Sequence, residues 1–191
     1  MTRLPPIGDK DWPRAIEDLR DGFAGALNVY RVMAHHPPLL RAWSDLREHV
    51  VRRSALSPAQ SEVVILRTGW RRGSTYEWAH HVVRALDCGL PRDRILTVKG
   101  ALEGMEPADR LLAGAVDELI DNNRLSDRLQ QSLVETLGIP GMMDLIATVG
   151  FYTTLAYLLN SFDPPVDVAI ADRYRQVIGG HAPATEPPKA G

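Results

Sequence analysis

Cysteine is almost absent from this sequence. Among its 191 residues there is one, Cys88, which excludes an intramolecular disulfide and a zinc site built from cysteines. An excess of either charge is missing as well, because 22 lysine and arginine residues are balanced by 24 aspartate and glutamate residues, giving a formal net charge of −2. Without a domain-wide basic field, we expect no nucleic-acid partner.

A secretory leader and an uninterrupted apolar run are also missing. Residues 1–12 lack the charged start and the apolar core of a signal peptide. The longest apolar segment, residues 141–162, is interrupted by Asp144, Thr148 and Asn160, and we expect it not to cross a membrane. These observations predict a cytoplasmic protein without a membrane partner.

The composition is that of an ordinary globular chain, with 45% hydrophobic and 24% charged residues. The length allows one well-cored domain, and we predict a single domain over residues 1–191. Prolines and glycines without periodicity mark both ends of it. They predict an extended arm over residues 1–10 and a flexible tail over residues 180–191.

Apolar residues recur along the chain at intervals of three or four, the period of an amphipathic helix. No stretch alternates with the period of a strand, so we predict an all-α fold. The first helix is expected from Trp12 to Tyr30, with Gly22 and Gly25 weakening it but not ending it. Capping residues, glycines and prolines predict later helices at about residues 37–50, 57–70, 74–88, 90–99, 107–122, 126–137 and 141–162, then a last turn or two in 166–178.

The two halves of the chain share one arrangement. Residues 57–89 and residues 126–162 each combine a capped helix with a longer apolar helix. This pattern suggests a degenerate two-fold repeat, although the residue identity between the halves is low.

The segment from Ser57 to Gly89 contains the group of residues that suggests chemistry. Glu62 adjoins four successive apolar residues, which predict a helix buried on most sides. After a break, Ser74 is placed to cap a second helix, on which Ser74, Glu77 and His81 share one face. If Glu62 reaches the same place, two carboxylates and one imidazole form a proton relay.

Each member of this group also has a purely structural interpretation. Glu62 can be a surface carboxylate near a helix cap, and Ser74 can be only a cap. Glu77 and His81 can form a solvated pair four residues apart. We expect no metal ion, because nothing in the sequence adds a fourth ligand or supporting residues to Glu62, Glu77 and His81.

The sequence also suggests where His80, Tyr152 and Asn160 lie. We expect His80 to be exposed or to lie at an interface. Tyr152 and Asn160 interrupt an apolar helix, where they can face a cavity or bond across a subunit interface. The sequence does not choose between these two positions.

The spacing of Glu62, Ser74, Glu77 and His81 resembles the E-x11-C-x2-C-x3-H motif of alkylhydroperoxidase D, with both cysteines replaced. The segments YEWAHH and VVRALDCGLP resemble those of the thiol-free branch of the carboxymuconolactone decarboxylase superfamily. The flanking words NVYRVMAHHPPLLRAW and VGFYTTLAYLLN extend the likeness over roughly residues 25–165, within a family core that we place at residues 11–165.

This resemblance implies an alkylhydroperoxidase D-like helical bundle in which the motif helices line a small cavity. It also implies a homo-oligomer, a trimer or a hexamer. The thiol members of the superfamily reduce peroxides with a cysteine pair, which Ser74 and Glu77 cannot replace. A peroxidase is therefore not expected.

The decarboxylases of the superfamily need no thiol and no cofactor, so the resemblance favours proton transfer or decarboxylation on a small organic acid or lactone as substrate. We assign Glu62 and His81 as the acid/base pair, with Glu77 orienting the imidazole. Substrate-binding roles are assigned to the donors and cations nearby, namely Ser74, Arg67, Arg71 and Tyr152. The alternative is a non-catalytic ligand-binding or assembly scaffold of the same fold.

Overall fold

The computed structural model describes residues 4–178. The tail predicted over residues 180–191 lies outside the described residues. Across the described part of the chain the regular structure is helical and no strand is present, so the predicted all-α class is confirmed. Residues 4–8, in the predicted arm, are not helical.

Helices of very different length follow one another along the chain. In chain order they are α1 Glu17–Arg20, α2 Phe23–Ala26, α3 Asn28–Met33, α4 Pro37–Glu48, α5 Pro58–Arg71, α6 Thr75–Asp87, α7 Arg92–Thr97, α8 Pro107–Asn122, α9 Asp127–Phe162 and α10 Val168–Ile178. Short 3-10 turns occur at Asp9–Asp11, Arg14–Ile16 and Leu102–Gly104, and a π-helical turn, His49–Arg53, continues α4.

The two motif helices begin where their capping residues predict. Ser57 forms a reciprocal capping box with Gln60 at the start of α5, with Pro58 at the first helical position. Ser74 accepts a hydrogen bond from the Glu77 backbone nitrogen at the start of α6. Gly89 follows α6 with φ +84°, a backbone conformation that glycine adopts without strain.

The predicted helix from Trp12 to Tyr30 is wrong as a single element. The chain instead forms a 3-10 turn and three short helices, α1, α2 and α3, with breaks at Gly22 and Leu27. A Cβ atom at Gly25 would lie 2.0 Å from the carbonyl oxygen of Arg20. This close backbone approach bends the segment back on itself and requires glycine.

The long helix α9 joins two segments that the sequence predicts as separate helices. Gly138 interrupts it with φ 71° and ψ 171°, two residues before Pro140. By length and composition alone, α9 is long and apolar enough to cross a membrane. Core helices of soluble proteins meet the same criterion, and one side of α9 is packed in the core. α10 is also longer than the predicted turn or two.

α5 occupies the middle of the molecule and packs against α6, α8 and α9. On one side, residues of α5, α6, α8 and α9 form a hydrophobic cluster that includes Leu66, Val82 and Leu145. On the other side, α3, α4 and α9 form a second cluster that includes Tyr30 and Phe151. Ile65 and Tyr76 bring α5 and α6 into this second cluster.

Candidate active site

Glu62, Glu77 and His81 meet in the interior, as the motif spacing suggests. Glu62 projects from α5, whereas Glu77 and His81 lie one turn apart on α6. The Nδ1 atom of His81 lies 2.7 Å from Oε2 of Glu62, and its Nε2 atom lies 3.3 Å from Oε2 of Glu77. All three residues are buried, with exposed fractions of 8%, 3% and 4% in chain order. The imidazole is therefore held between two carboxylates.

The two carboxylates set the protonation of His81. Burial disfavours the charged imidazolium, but the negative charges and hydrogen bonds of Glu62 and Glu77 outweigh this effect. Together they raise the pKa of His81 above its ordinary value of 6.5. The geometry consequently favours the protonated imidazole more than water does.

A small cavity adjoins this group. It has about 20 Å³ of space open to the centre of a water molecule, enough for one small polar group. Glu77 and His81 line this cavity, but Glu62 does not. The Oε1 atom of Glu77 is buried and has no hydrogen-bond partner within residues 4–178. Glu77 thus has a carboxylate oxygen without a partner at the cavity wall, whereas Glu62 contacts the imidazole away from the cavity.

Tyr152 lines the cavity. The sequence allows either this position or one at a subunit interface. The Tyr152 ring meets that of His81 edge-on, with centroids 5.0 Å apart. Burial, and then the charge of Glu77, raise the pKa of Tyr152 well above its ordinary value, so its hydroxyl stays protonated. Asn160 instead is exposed and donates to the carbonyl oxygen of Arg72 over 2.8 Å.

Arg67 and Arg71 lie away from the cavity. The guanidinium of Arg67 forms two hydrogen bonds with Asp117 and two with the carbonyl oxygens of Val98 and Gly100. Arg71 pairs with Asp117 and Asp121 on α8. The predicted substrate-binding position of these two arginines therefore needs correction, because their charges join α5 to α8.

Ser74 is buried at the start of α6 and acts as its N-cap, with 3.3 Å between its Oγ and the Glu77 nitrogen. It does not line the cavity. The hydroxyl oxygen accepts a backbone hydrogen bond, so Ser74 lies near Glu77 without contacting the cavity. The capping interpretation accounts for this position.

Two arginines that sequence reasoning did not assign to the site line the cavity in place of Arg67 and Arg71. Arg47 comes from the end of α4, and Arg84 lies on α6 one turn beyond His80. Arg84 follows Glu77 by two helical turns, which places both on one face, so helical spacing could have found it. No local pattern links Arg47 to the motif.

Tyr76, His80 and Asp167 form a second buried polar group beside the cavity. The rings of Tyr76 and His80 stack with centroids 4.3 Å apart, and His80 Nε2 lies 3.0 Å from Oδ2 of Asp167. The Tyr76 hydroxyl also donates to Asp167. The expectation that His80 is exposed is wrong, because residues before α10 cover it. Tyr76 separates the cavity from a surface groove of about 690 Å³.

Within residues 4–178, neither a metal cluster nor a buried thiol accompanies the site. In the part of the chain that the structure describes, no group of three or more histidine, cysteine, aspartate or glutamate side chains is arranged to hold a metal ion. Both ring nitrogens of His81 already face carboxylates. Cys88 is exposed at the end of α6.

Comparison with known families and structures gives consistent results. Residues 37–115, which include the whole motif, match the profile of the carboxymuconolactone decarboxylase family. This match covers less than half of the chain. No curated protein sequence matches significantly.

Solved structures share the fold at low sequence identity. An alkylhydroperoxidase AhpD core protein from Ralstonia eutropha, an uncharacterized peroxidase-related protein, has a TM-score of 0.75 with 15% identity over 88% of this chain and 93% of its own. A peroxidase-related protein from Silicibacter sp. has a TM-score of 0.73, 12% identity and coverages of 91% and 95%.

The debrominase Bmp8 is also similar, as a cysteine-to-alanine variant in complex with 2,3,4-tribromopyrrole. Its TM-score is 0.72, with 13% identity over 93% of this chain and 98% of that protein. At such identities the likeness establishes the fold alone. The profile match over the motif helices, together with the shared fold, supports the carboxymuconolactone decarboxylase and alkylhydroperoxidase D-like superfamily for this chain.

Proposed function

We propose that this protein is a carboxymuconolactone decarboxylase-like lyase that transfers a proton, without a cofactor, to a small organic acid or lactone derived from aromatic degradation. The observation that carries the proposal is the open Oε1 atom of Glu77. This atom has no partner among the described residues and belongs to a side chain that lines the cavity, while Oε2 of the same carboxylate lies 3.3 Å from His81. One carboxyl group can thus contact both a ligand and the imidazole.

The chemistry follows from this arrangement. Loss of carbon dioxide breaks a carbon–carbon bond and leaves its electron pair on the substrate, delocalised as a dienolate. His81 passes its proton to Glu77, whose carboxyl group delivers it to the dienolate carbon; this forms the new carbon–hydrogen bond and leaves Glu77 a carboxylate and His81 neutral until water reprotonates it. Glu62 stabilises the imidazolium from behind. The proposal therefore exchanges the roles expected for Glu62 and Glu77.

Absence of a suitably placed thiol supports proton transfer over peroxide reduction. Ser74 and Glu77 occupy the two cysteine positions of the motif, and Cys88 is exposed beyond the end of α6. We assign the chain to the thiol-free branch for this reason. The complex of Bmp8 with a bromopyrrole supports a small ring as a ligand for this fold.

A non-catalytic ligand-binding or assembly scaffold is the alternative. The observation that favours it is the cavity size, because about 20 Å³ does not hold a whole lactone. Turnover requires the cavity to open, for example towards the surface groove that Tyr76 borders.

Turnover of 4-carboxymuconolactone and related lactones by wild-type protein, His81→Gln and Glu77→Gln tests the proposal. We expect each substitution to lower kcat by about 100-fold or more, the usual contribution of a positioned acid. Glu135→Gln is the matched control, since Glu135 is exposed on α9. Unchanged rates in His81→Gln would remove it from the mechanism, and a folded wild-type protein without turnover would favour the scaffold.

We further propose that the protein is a cytoplasmic homo-oligomer. Exposed apolar side chains form one stripe along the second part of α9, and Ile139, Met143 and Tyr157 in it have exposed fractions of 63%, 57% and 57%. A second copy of the chain would cover this stripe. Light scattering coupled to size exclusion measures the subunit number, and a monomer at micromolar concentration would contradict this proposal.

A further inference from the structure

We propose that Arg47 and Arg84 bind a carboxylate, so that the ligand of this cavity is a small organic acid in its anionic form. The inference rests on the proposed function in that it concerns the same cavity. It adds the charge of the ligand and the residues that recognise it, which the motif does not supply.

Arg47 is a buried cation that lacks a carboxylate partner. Its exposed fraction is 6%, and its Nε atom is buried without a hydrogen-bond partner among the described residues. The guanidinium lies 4.0 Å from the ring centroid of Phe23 and 5.8 Å from that of Tyr30. These aromatic contacts orient the guanidinium at the cavity, where its side-chain hydrogen-bond interaction is with the Tyr30 hydroxyl and its Nε donor is left without a partner.

Arg67, the arginine buried to the same extent as Arg47, and the partly buried Arg71 and Arg94 all have carboxylate partners. Arg67 and Arg71 pair with Asp117, and Arg94 forms two hydrogen bonds with Asp109. Within residues 4–178, no ion pair is found for Arg47. An unpaired buried charge is unfavourable, and a bound anion would supply the missing partner.

Arg84 adds a second positive charge to the same cavity. It is partly buried on the face of α6 that carries Glu77, and it also lacks an ion pair among the residues that the structure describes. Two guanidinium groups offset the repulsion that Glu77 would exert on an acid. This resolves how a cavity with carboxylates can accept an anionic ligand.

A carboxylate suits the cavity better than other anions. It is planar and matches the two-pronged donor geometry of a guanidinium. At about 20 Å³ the cavity has room for little more than one small polar group, so the rest of the acid must occupy space that opens beside it. The Tyr30 hydroxyl can donate to the anion too, because burial raises its pKa to about 12 and keeps it protonated.

Calorimetric binding of matched pairs of ligands tests this inference without turnover. The probes are propionate and benzoate, with propionamide and benzamide as neutral counterparts of the same shape. We expect the full-length protein to bind the carboxylates and to bind the amides at least 10-fold more weakly. Arg47→Met and Arg84→Met should each weaken carboxylate binding by 10-fold or more, with Arg47→Lys retaining part of it.

Three controls keep the outcomes distinct. Arg53→Met removes an exposed arginine outside the cavity and should leave binding unchanged. Circular dichroism verifies that each variant is folded. Glu77→Gln removes a negative charge from the cavity and should bind carboxylates at least as tightly as wild-type protein even where turnover is lost, so failure of the proposed chemistry and failure of this inference are separate results. Equal affinity for amides and carboxylates, or no carboxylate binding by folded wild-type protein, would overturn it.

Discussion

Replacement of Glu62 by glutamine tests the electrostatic core of the site. Glutamine keeps the shape of the side chain and its acceptor oxygen but removes the charge 2.7 Å from His81 Nδ1. The positive imidazole then keeps only the contact with Glu77, at 3.3 Å. Burial would outweigh that contact, and the pKa of His81 should fall.

The expected loss of stability depends on pH. Because the pKa of His81 is raised, the stabilisation by its charged form is complete below the unfolded value of 6.5 and is lost as the pH rises through the folded pKa. Under acidic conditions Glu62→Gln breaks a buried ion pair, at a cost of about 3–5 kcal/mol. At high pH, where the imidazole is neutral, it replaces a hydrogen bond to a carboxylate with one to a neutral amide, a difference of about 1 kcal/mol.

Urea unfolding at pH values from about 5.5 to about 9.5, where ordinary carboxyl groups are ionised, measures this difference. Thermal unfolding at acidic pH should show the same loss. For a chain of this size, a free-energy difference of about 3 kcal/mol corresponds to a fall in Tm of roughly 6–12 °C. Glu135→Gln should change stability by less than about 0.5 kcal/mol at every pH. A loss in Glu62→Gln that does not vary with pH would refute the charged pair.

Two other substitutions address residues around the site. Arg67→Met should lower the free energy of unfolding by about 3–5 kcal/mol, measured with urea, yet leave propionate affinity unchanged because Arg67 serves Asp117 rather than the cavity. Asp167→Asn should make the protein less sensitive to acid. Burial raises the pKa of Asp167, but hydrogen bonds from His80, Tyr76 and the Asn28 nitrogen outweigh it and lower this pKa. The stabilisation by the charged carboxylate is therefore lost as the pH falls below 3.8. Equal acid titrations of the two proteins would contradict the second expectation.

Most of the helical fold was predictable because its signals are local. The capping box at Ser57, the cap at Ser74 and the glycine at Gly89 each act within a few residues, and the helices begin and end there. The segment from Trp12 to Tyr30 was not predictable in the same way. Its apolar period is helical, but contact of Gly25 with the Arg20 carbonyl makes a sharp bend more favourable than a continuous helix.

Helical phase explains which site residues could be predicted. Glu77 and His81 lie one turn apart, so their shared face follows from spacing alone. Arg67 follows Glu62 by five residues and Arg71 by nine, so both point about 140–180° away from it at about 100° per residue. The same arithmetic therefore places these arginines on the α8 side, where the structure has them.

Arg47 marks the limit of that reasoning. Arginine is usually exposed, and nothing near Arg47 in the sequence predicts that Phe23 and Tyr30 bury it at the cavity. Its position depends on how α4 packs against distant parts of the chain. The motif alone places two carboxylates in the site and so argues against an acidic ligand. The arginine from α4 reverses this conclusion, because the charge that a ligand must carry depends on a helix that the motif does not contain.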